Sequence, residues 1–301
     1  MTMDPFGTRL TTALHRTGTP LCMGIDPHAA MIPPLFGDAG TAGSPDAIRA
    51  IGDFVMECLN AARGRVPAIK PQVAFFEAQG PQGVQILAYL QRAAVDAGLL
   101  VIIDAKRGDI GSTSTAYAEA WIGHDAPFPS DALTVNPYLG IDTLDPFLQR
   151  ADAQSAGLFV LVRTSNPGAG DLQDLNVDGV PVFTRLADRL APLAASRTAE
   201  CGWSSLGIVA GATWPEEAVK LRGQLPTSPF LVPGFGAQGG SAAAALASLK
   251  KTNGIWEGGL INSTRGLIFP QSAARATSMA AWRSCIDSAI EDSRATLAAI
   301  N

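Results

Sequence analysis

Asp104 to Thr113, D-A-K-R-G-D-I-G-S-T, is the stretch on which the reading of this chain turns. It follows an apolar run, 99–103 (L-L-V-I-I), of the kind that forms a buried strand. In an extended segment Asp104 and Lys106, two positions apart, point to the same side, so one charge of each sign faces a common space. Gly108 then lets the backbone turn, Asp109 brings a third charge, and 111–121 reads as a helix with Ser112 and Thr113 at its start. A strand that ends in charges and passes into a helix is the edge of an active site. Taken singly, an Asp-Lys pair at a strand end reads as a solvated salt bridge, so the rest of the chain has to supply its partners.

Short β-type runs alternate with helical stretches throughout. Strands are expected at 21–25, 68–70, 99–103, 132–135, 158–162, 206–209, 230–232 and 259–261. Helices are expected at 46–63, 83–97, 112–121, 144–152, 182–201, 216–222, 240–249 and 271–297. Eight strands, each followed by a helix, predict an α/β fold closed as a (β/α)8 TIM barrel rather than an open sheet. At 301 residues this is one domain over 1–301, with long loops near 33–45 and 166–181 where the βα alternation pauses and then resumes.

Composition excludes several classes of function. The chain is 47% hydrophobic and 16% charged, enough to bury a large core, and its net charge of −5 argues against a nucleic-acid surface. Neither a leader-like N-terminus nor an apolar run of membrane-spanning length is present, so no membrane partner and a cytoplasmic location are expected. Cys22, Cys58, Cys201 and Cys285 lack paired spacing, and His15, His28 and His124 form no ligand pair, so no metal site is expected.

On a barrel, function belongs where strands pass into βα loops. Those exits carry Asp26, Lys70, Asp104 with Lys106, Asn136, Thr164 with Ser165, Gly211 to Thr213, the glycine-rich P-G-F-G-A-Q-G-G from Pro233 to Gly240, and N-S-T-R-G from Asn262 to Gly266. Glycines after strand seven let backbone N–H groups approach an anion, Gln238 adds a side-chain donor, and Arg265 adds a planar fork. Adjacent exits seven and eight are the recurrent place for a phosphate on this fold. Opposite them, Asp26, Lys70, Asp104, Lys106 and Asp109 suit proton transfer and stabilisation of a developing carbanion.

These motifs in this order, with M-G-I-D-P-H, I-K-P-Q-V-A-F-F-E, V-N-P-Y-L-G and T-S-N-P-G-A, closely resemble the orotidine 5′-phosphate decarboxylase family in its longer bacterial branch. The resemblance runs from about Gly24 to Arg265. It implies decarboxylation of orotidine 5′-monophosphate to UMP with neither cofactor nor metal, the last step of pyrimidine nucleotide synthesis. By resemblance, Lys70, Asp104, Lys106 and Asp109 match the family's alternating charged network. Lys106 protonates pyrimidine C6 and Asp104 lies near the substrate carboxylate. Asp26 and Lys70 meet ribose hydroxyls, Ser165 meets the amide edge of the base, Pro233 is among the substrate-binding residues, and Gln238 and Arg265 hold the phosphate. Asp109 and Thr113 match positions that reach a neighbouring subunit's site, which implies a homodimer. Roles for Asn136, Asn166 and Thr213 do not carry over. Two rivals remain: a magnesium-dependent sugar-phosphate enzyme with a similar D-x-K-x-x-D strand end, and a non-catalytic phosphate-ligand binder on a retired barrel.

Overall fold

The computed structural model describes residues 3–236 and 240–300. Eight parallel strands close into a barrel: β1 (Leu21–Ile25), β2 (Ala68–Pro71), β3 (Leu100–Arg107), β4 (Ala132–Val135), β5 (Gly157–Arg163), β6 (Leu206–Ala210), β7 (Phe230–Pro233) and β8 (Gly259–Ser263). Each pairs with its sequence neighbours and β8 pairs with β1, with Leu21 opposite Ile261. The strands form where apolar runs were expected because both faces of a barrel strand are buried. One face packs on the helices through Met23, Ile69, Val101, Leu133, Val160, Ile208, Val232 and Ile261. The alternate positions fill a separate inner core of Cys22, Ala68, Leu100, Ile102, Ala132, Phe159, Val209, Leu231 and Leu260.

Helix α1 (Phe6–Thr17), which lies ahead of the first expected strand, belongs to that inner core through Phe6, Leu10, Ala13 and Leu14. It lies across the end of the barrel where the strands begin. Phe6 is fully buried and meets Phe159 edge to face at 5.9 Å, and a Cβ on Gly157 would overlap its ring. Glycine at the start of β5 is therefore what lets the helix seat. Phe6→Ala is expected to cost about 3–5 kcal/mol of stability, read as a lowered midpoint in urea unfolding. A loss below about 1 kcal/mol would show that α1 does not close the barrel.

Helix boundaries shift where local chemistry overrides periodicity. The helix expected at 240–249 is Ala242–Leu246, capped by Ser241 and followed by a two-stranded ribbon of Lys250–Thr252 and Ile255–Glu257. The C-terminal helix begins at Met279 rather than 271, where Ser278 accepts from the Ala281 N–H. The 166–181 loop carries a short helix, Gly170–Gln173, and a ribbon of Asn176–Val177 and Val180–Pro181.

Candidate active site

The inward parity of the strands builds the site. Cys22, Ala68, Ile102, Ala132 and Leu260 face the inner core, and two residues further along the same strands stand Gly24, Lys70, Asp104, Thr134 and Asn262. At that level the barrel interior changes from hydrocarbon to polar groups. The floor is therefore dry, which strengthens every charge interaction just above it. Burial in it raises the Cys22 thiol pKa to about 12.

Asp104 is the hub. Its Oδ2 accepts from Lys70 Nζ at 2.8 Å and from Gln72 Nε2 at 2.9 Å, while its Oδ1 accepts from Lys106 Nζ at 2.5 Å and from the Thr134 hydroxyl at 3.1 Å. The Thr134 oxygen in turn accepts from the Lys106 backbone N–H at 2.9 Å. Lys70 also faces Asp26, with Nζ 4.0 Å from Oδ1. Burial alone would push the Asp104 carboxyl up, but the two ammonium groups and their hydrogen bonds outweigh it and hold the group below the usual carboxylate range. For Lys70, burial works against the charge, and Asp104 and Asp26 together push the ammonium above the ordinary lysine range. Both groups stay ionised through neutral pH. Lys70 is 4% exposed, whereas the Lys106 side chain is 45% exposed and free to meet a ligand.

Two contiguous lobes open around this hub and share Lys70, Asp104 and Pro233 as a common wall. The larger, about 480 Å³, adds Asp26, His28, Gln72, Phe235, Asn262, Thr264 and Arg265. The smaller, about 370 Å³, adds Lys106, Thr134, Thr164, Ser165 and Asn166 over an apolar floor of Leu161, Val209 and Leu231. One lobe is thus polar, with two cations and two carboxylates in its wall, and the other is apolar-floored with an ammonium at its edge. Both volumes are those of small-molecule sites. In the polar lobe two buried acceptors, Asp26 Oδ1 and Asn262 Oδ1, have no hydrogen-bond partner among the described residues. Unfilled acceptors beside a cation suit a ligand that brings hydroxyl donors.

Of the residues expected from the sequence, Asp26, Lys70, Asp104, Lys106, Ser165, Pro233 and Arg265 all line these lobes. Asp109 and Thr113 line neither, and Thr113 is exposed. Gln238 lies outside the described residues. Local geometry departs from expectation at two points. After Asp104 the backbone turns left-handed at Lys106, φ 48°, and at Gly111, φ 50°, and not at Gly108. That conformation costs a non-glycine residue about 1–2 kcal/mol and marks a place where side-chain position outweighs backbone comfort. Gly108 is needed for a close approach instead, since a Cβ there would stand 2.6 Å from the Asn136 carbonyl oxygen. The helix after β3 runs Gly111–Trp121 as expected, with Ser112 and Thr113 in its first turn and Ile110 in the capping position. After β7, the N–H groups of Gly236 and Gly240 are spent inside their own loop, on Gly240 O and Gly234 O.

Gln72 and Thr134 carry no site role in the sequence reading, and Asn262 only a place at the exit of strand eight. Thr134 sits within an apolar strand run, and the signal that assigns it and Asn262 to the site is parity with Ala132 and Leu260.

A closed parallel barrel whose carboxy-terminal rim gathers two lysines, an arginine and two aspartates around two contiguous lobes is a (β/α)8 enzyme. The chain belongs to the family described as orotidine 5′-phosphate decarboxylase / HUMPS, whose model matches residues 19–278. It is 46% identical over 272 residues to the orotidine 5′-phosphate decarboxylase of Rhodopirellula baltica, covering 89% of each chain. It is 44% identical over 242 residues to that of Streptomyces coelicolor, covering 80% of this chain and 82% of the relative. The solved structure of Leishmania donovani OMP decarboxylase superposes with a TM-score of 0.74 at 31% identity over 97% of each chain. Among the described residues no helix is long and apolar enough to cross a membrane.

Proposed function

We propose that the chain decarboxylates orotidine 5′-monophosphate to UMP and CO₂ in pyrimidine nucleotide synthesis, without cofactor or metal. The observation that carries this reading is the Asp104 carboxylate clamped between Lys70 and Lys106 at the seam of the two lobes. The apolar lobe suits a pyrimidine ring, with Ser165 at its amide edge. The polar lobe suits a ribose 5-phosphate, with Asp26 and Lys70 toward the hydroxyls and Arg265 toward the ester. Gln238 joins the phosphate side by resemblance alone.

Loss of CO₂ from C6 leaves a carbanion with no carbonyl placed to take its charge. Lys106 attracts both the departing carboxylate and the new carbanion, so only the difference between those attractions speeds the reaction. Asp104 supplies such a difference by repelling a carboxylate that disappears as CO₂ leaves. Two like charges about 3 Å apart at an effective dielectric near 20 interact by roughly 5 kcal/mol, an upper bound worth about four powers of ten. The remainder falls to binding energy from phosphate and ribose, which positions the base and excludes water. Lys106 then delivers its proton to C6. Its exposed side chain and fixed backbone let the ammonium turn from Asp104 to the ligand.

The magnesium-dependent alternative is disfavoured by charge. Both oxygens of Asp104 already face ammonium groups, which repel a divalent ion at that position. The deciding assay incubates purified protein with orotidine 5′-monophosphate and EDTA and follows loss of ultraviolet absorption. Conversion in EDTA supports the reading. Conversion only with added magnesium turns it toward the sugar-phosphate relatives, and UMP binding without any conversion toward a non-catalytic binder.

The same reading includes a cytoplasmic homodimer in which Asp109 and Thr113 complete the partner's site. Their place outside the lobes of their own chain agrees with it. So does the apolar surface nearby, where Ile110 is 62% and Tyr138 73% exposed. Mixing Asp109→Ala with Lys106→Ala protomers should restore about a quarter of wild-type activity per mole of active sites, because one heterodimer site is then intact. Subunit exchange without recovered activity would remove Asp109 from the shared site.

A further inference from the structure

Arg163 ends β5 and is 1% exposed, and its guanidinium serves two segments at once. Nε and Nη2 donate to Glu217 at 2.6 and 3.2 Å, on the helix Pro215–Gln224 that follows β6. Nη1 forms an ion pair, without hydrogen-bond geometry, with Asp174 2.8 Å away at the end of the short helix inside the 166–181 loop. The guanidinium carbon lies over the rings of Phe183 and Trp214, 5.1 and 4.7 Å from their centres. Its own carbonyl accepts from the Gly211 N–H at 2.9 Å, and a Cβ on Gly211 would sit 2.9 Å from the Ser165 Cβ. Side chain and backbone of one residue therefore bind the loop after β5 to the loop after β6 at the point where Ser165 enters the apolar lobe. Gln173, beside Asp174, reaches back to Thr164, accepting from its N–H at 3.0 Å and donating to its hydroxyl at 2.8 Å.

We propose that Arg163 is a positioning residue: by gripping Asp174 and Glu217 together it holds the 164–174 segment over the apolar lobe and sets Ser165 against the base of the ligand. This rests on the reading that the apolar lobe takes the pyrimidine ring. Lysine cannot replace the guanidinium, because a point charge cannot present a fork to one carboxylate while meeting a second. Asp174 and Glu217 touch neither lobe, and their side chains are 48% and 28% exposed, so changing them loosens the clamp without entering the site or unpacking the core.

The test compares wild type with Asp174→Ala, Glu217→Gln and the double variant by calorimetric titration with UMP and with ribose 5-phosphate, which lacks the base. Each single variant is expected to weaken UMP by about tenfold while ribose 5-phosphate stays within about twofold. The double variant should fall well short of the product of the two, because both act through one guanidinium. Amide hydrogen exchange across 164–174 should quicken at least about tenfold in each variant. Equal weakening of both ligands, unchanged UMP affinity or unchanged exchange would each overturn the proposal. A failure of the underlying reading shows differently, as wild type that binds ribose 5-phosphate no more weakly than UMP, and that result overturns the role assigned to Ser165 as well.

Discussion

Lys106→Ala is expected to lower turnover of orotidine 5′-monophosphate by at least about a thousandfold while UMP still binds. Two losses combine. The proton donor is gone, and the cation that favours charge at C6 over charge on the departing carboxylate is gone with it. Binding is expected to survive because the groups proposed to meet ribose and phosphate, Asp26, Lys70 and Arg265, all line the polar lobe. Asp104 keeps three of its four donors, Lys70, Gln72 and Thr134, so the carboxylate stays charged and in place. The side chain is half in solvent and its removal opens no cavity. The measurement is single-turnover kinetics beside a UMP titration. Activity within tenfold of wild type would take the proton-donor role away from Lys106.

Arg265→Ala should have the second-largest effect, on affinity. Arg265 is exposed at the mouth of the polar lobe, and its guanidinium makes no ion pair with any carboxylate of the described residues, so its donors are available to an incoming anion. Two charge-assisted hydrogen bonds to one ester together contribute about 3–4 kcal/mol, or roughly 10²- to 10³-fold in dissociation constant. The loss should be confined to phosphorylated ligands: UMP weakens by that factor, and uridine, which lacks the ester, does not. An unchanged UMP affinity would place the phosphate elsewhere. The two substitutions therefore separate the chemistry from the grip.

The eight strands were legible because each is a largely apolar span, three to five residues in the sequence reading, bounded by turn-forming or charged residues. A barrel strand buried on both faces has no other composition open to it. Most of the rim was legible for the complementary reason, since a charge directly after such a run has few places to go except the strand end. Helix α1 carries a readable period in Phe6, Leu10, Ala13 and Leu14, but it precedes β1, and a template of strand followed by helix assigns nothing there. Thr134 was hidden by its own burial. A hydroxyl inside A-L-T-V reads as one more β-branched residue until the neighbouring strand puts the Asp104 carboxylate beside it. Arg163 was hidden in the same way, its carboxylate partner Glu217 standing 54 residues away.

From the chain alone came the βα count, the barrel, the family resemblance and the charged exits, because these depend on residue type and near spacing. Tertiary structure decided what those charges do to one another: that one carboxylate faces two ammonium groups, that the lysine carrying one of them stands in a left-handed turn, and that the polar and apolar lobes share a wall. Such relations depend on strand register and barrel closure, which bring residues 26, 70, 104, 134 and 262 from five strands to one rim. No local pattern encodes that coincidence, since it arises only when every strand is seated at once.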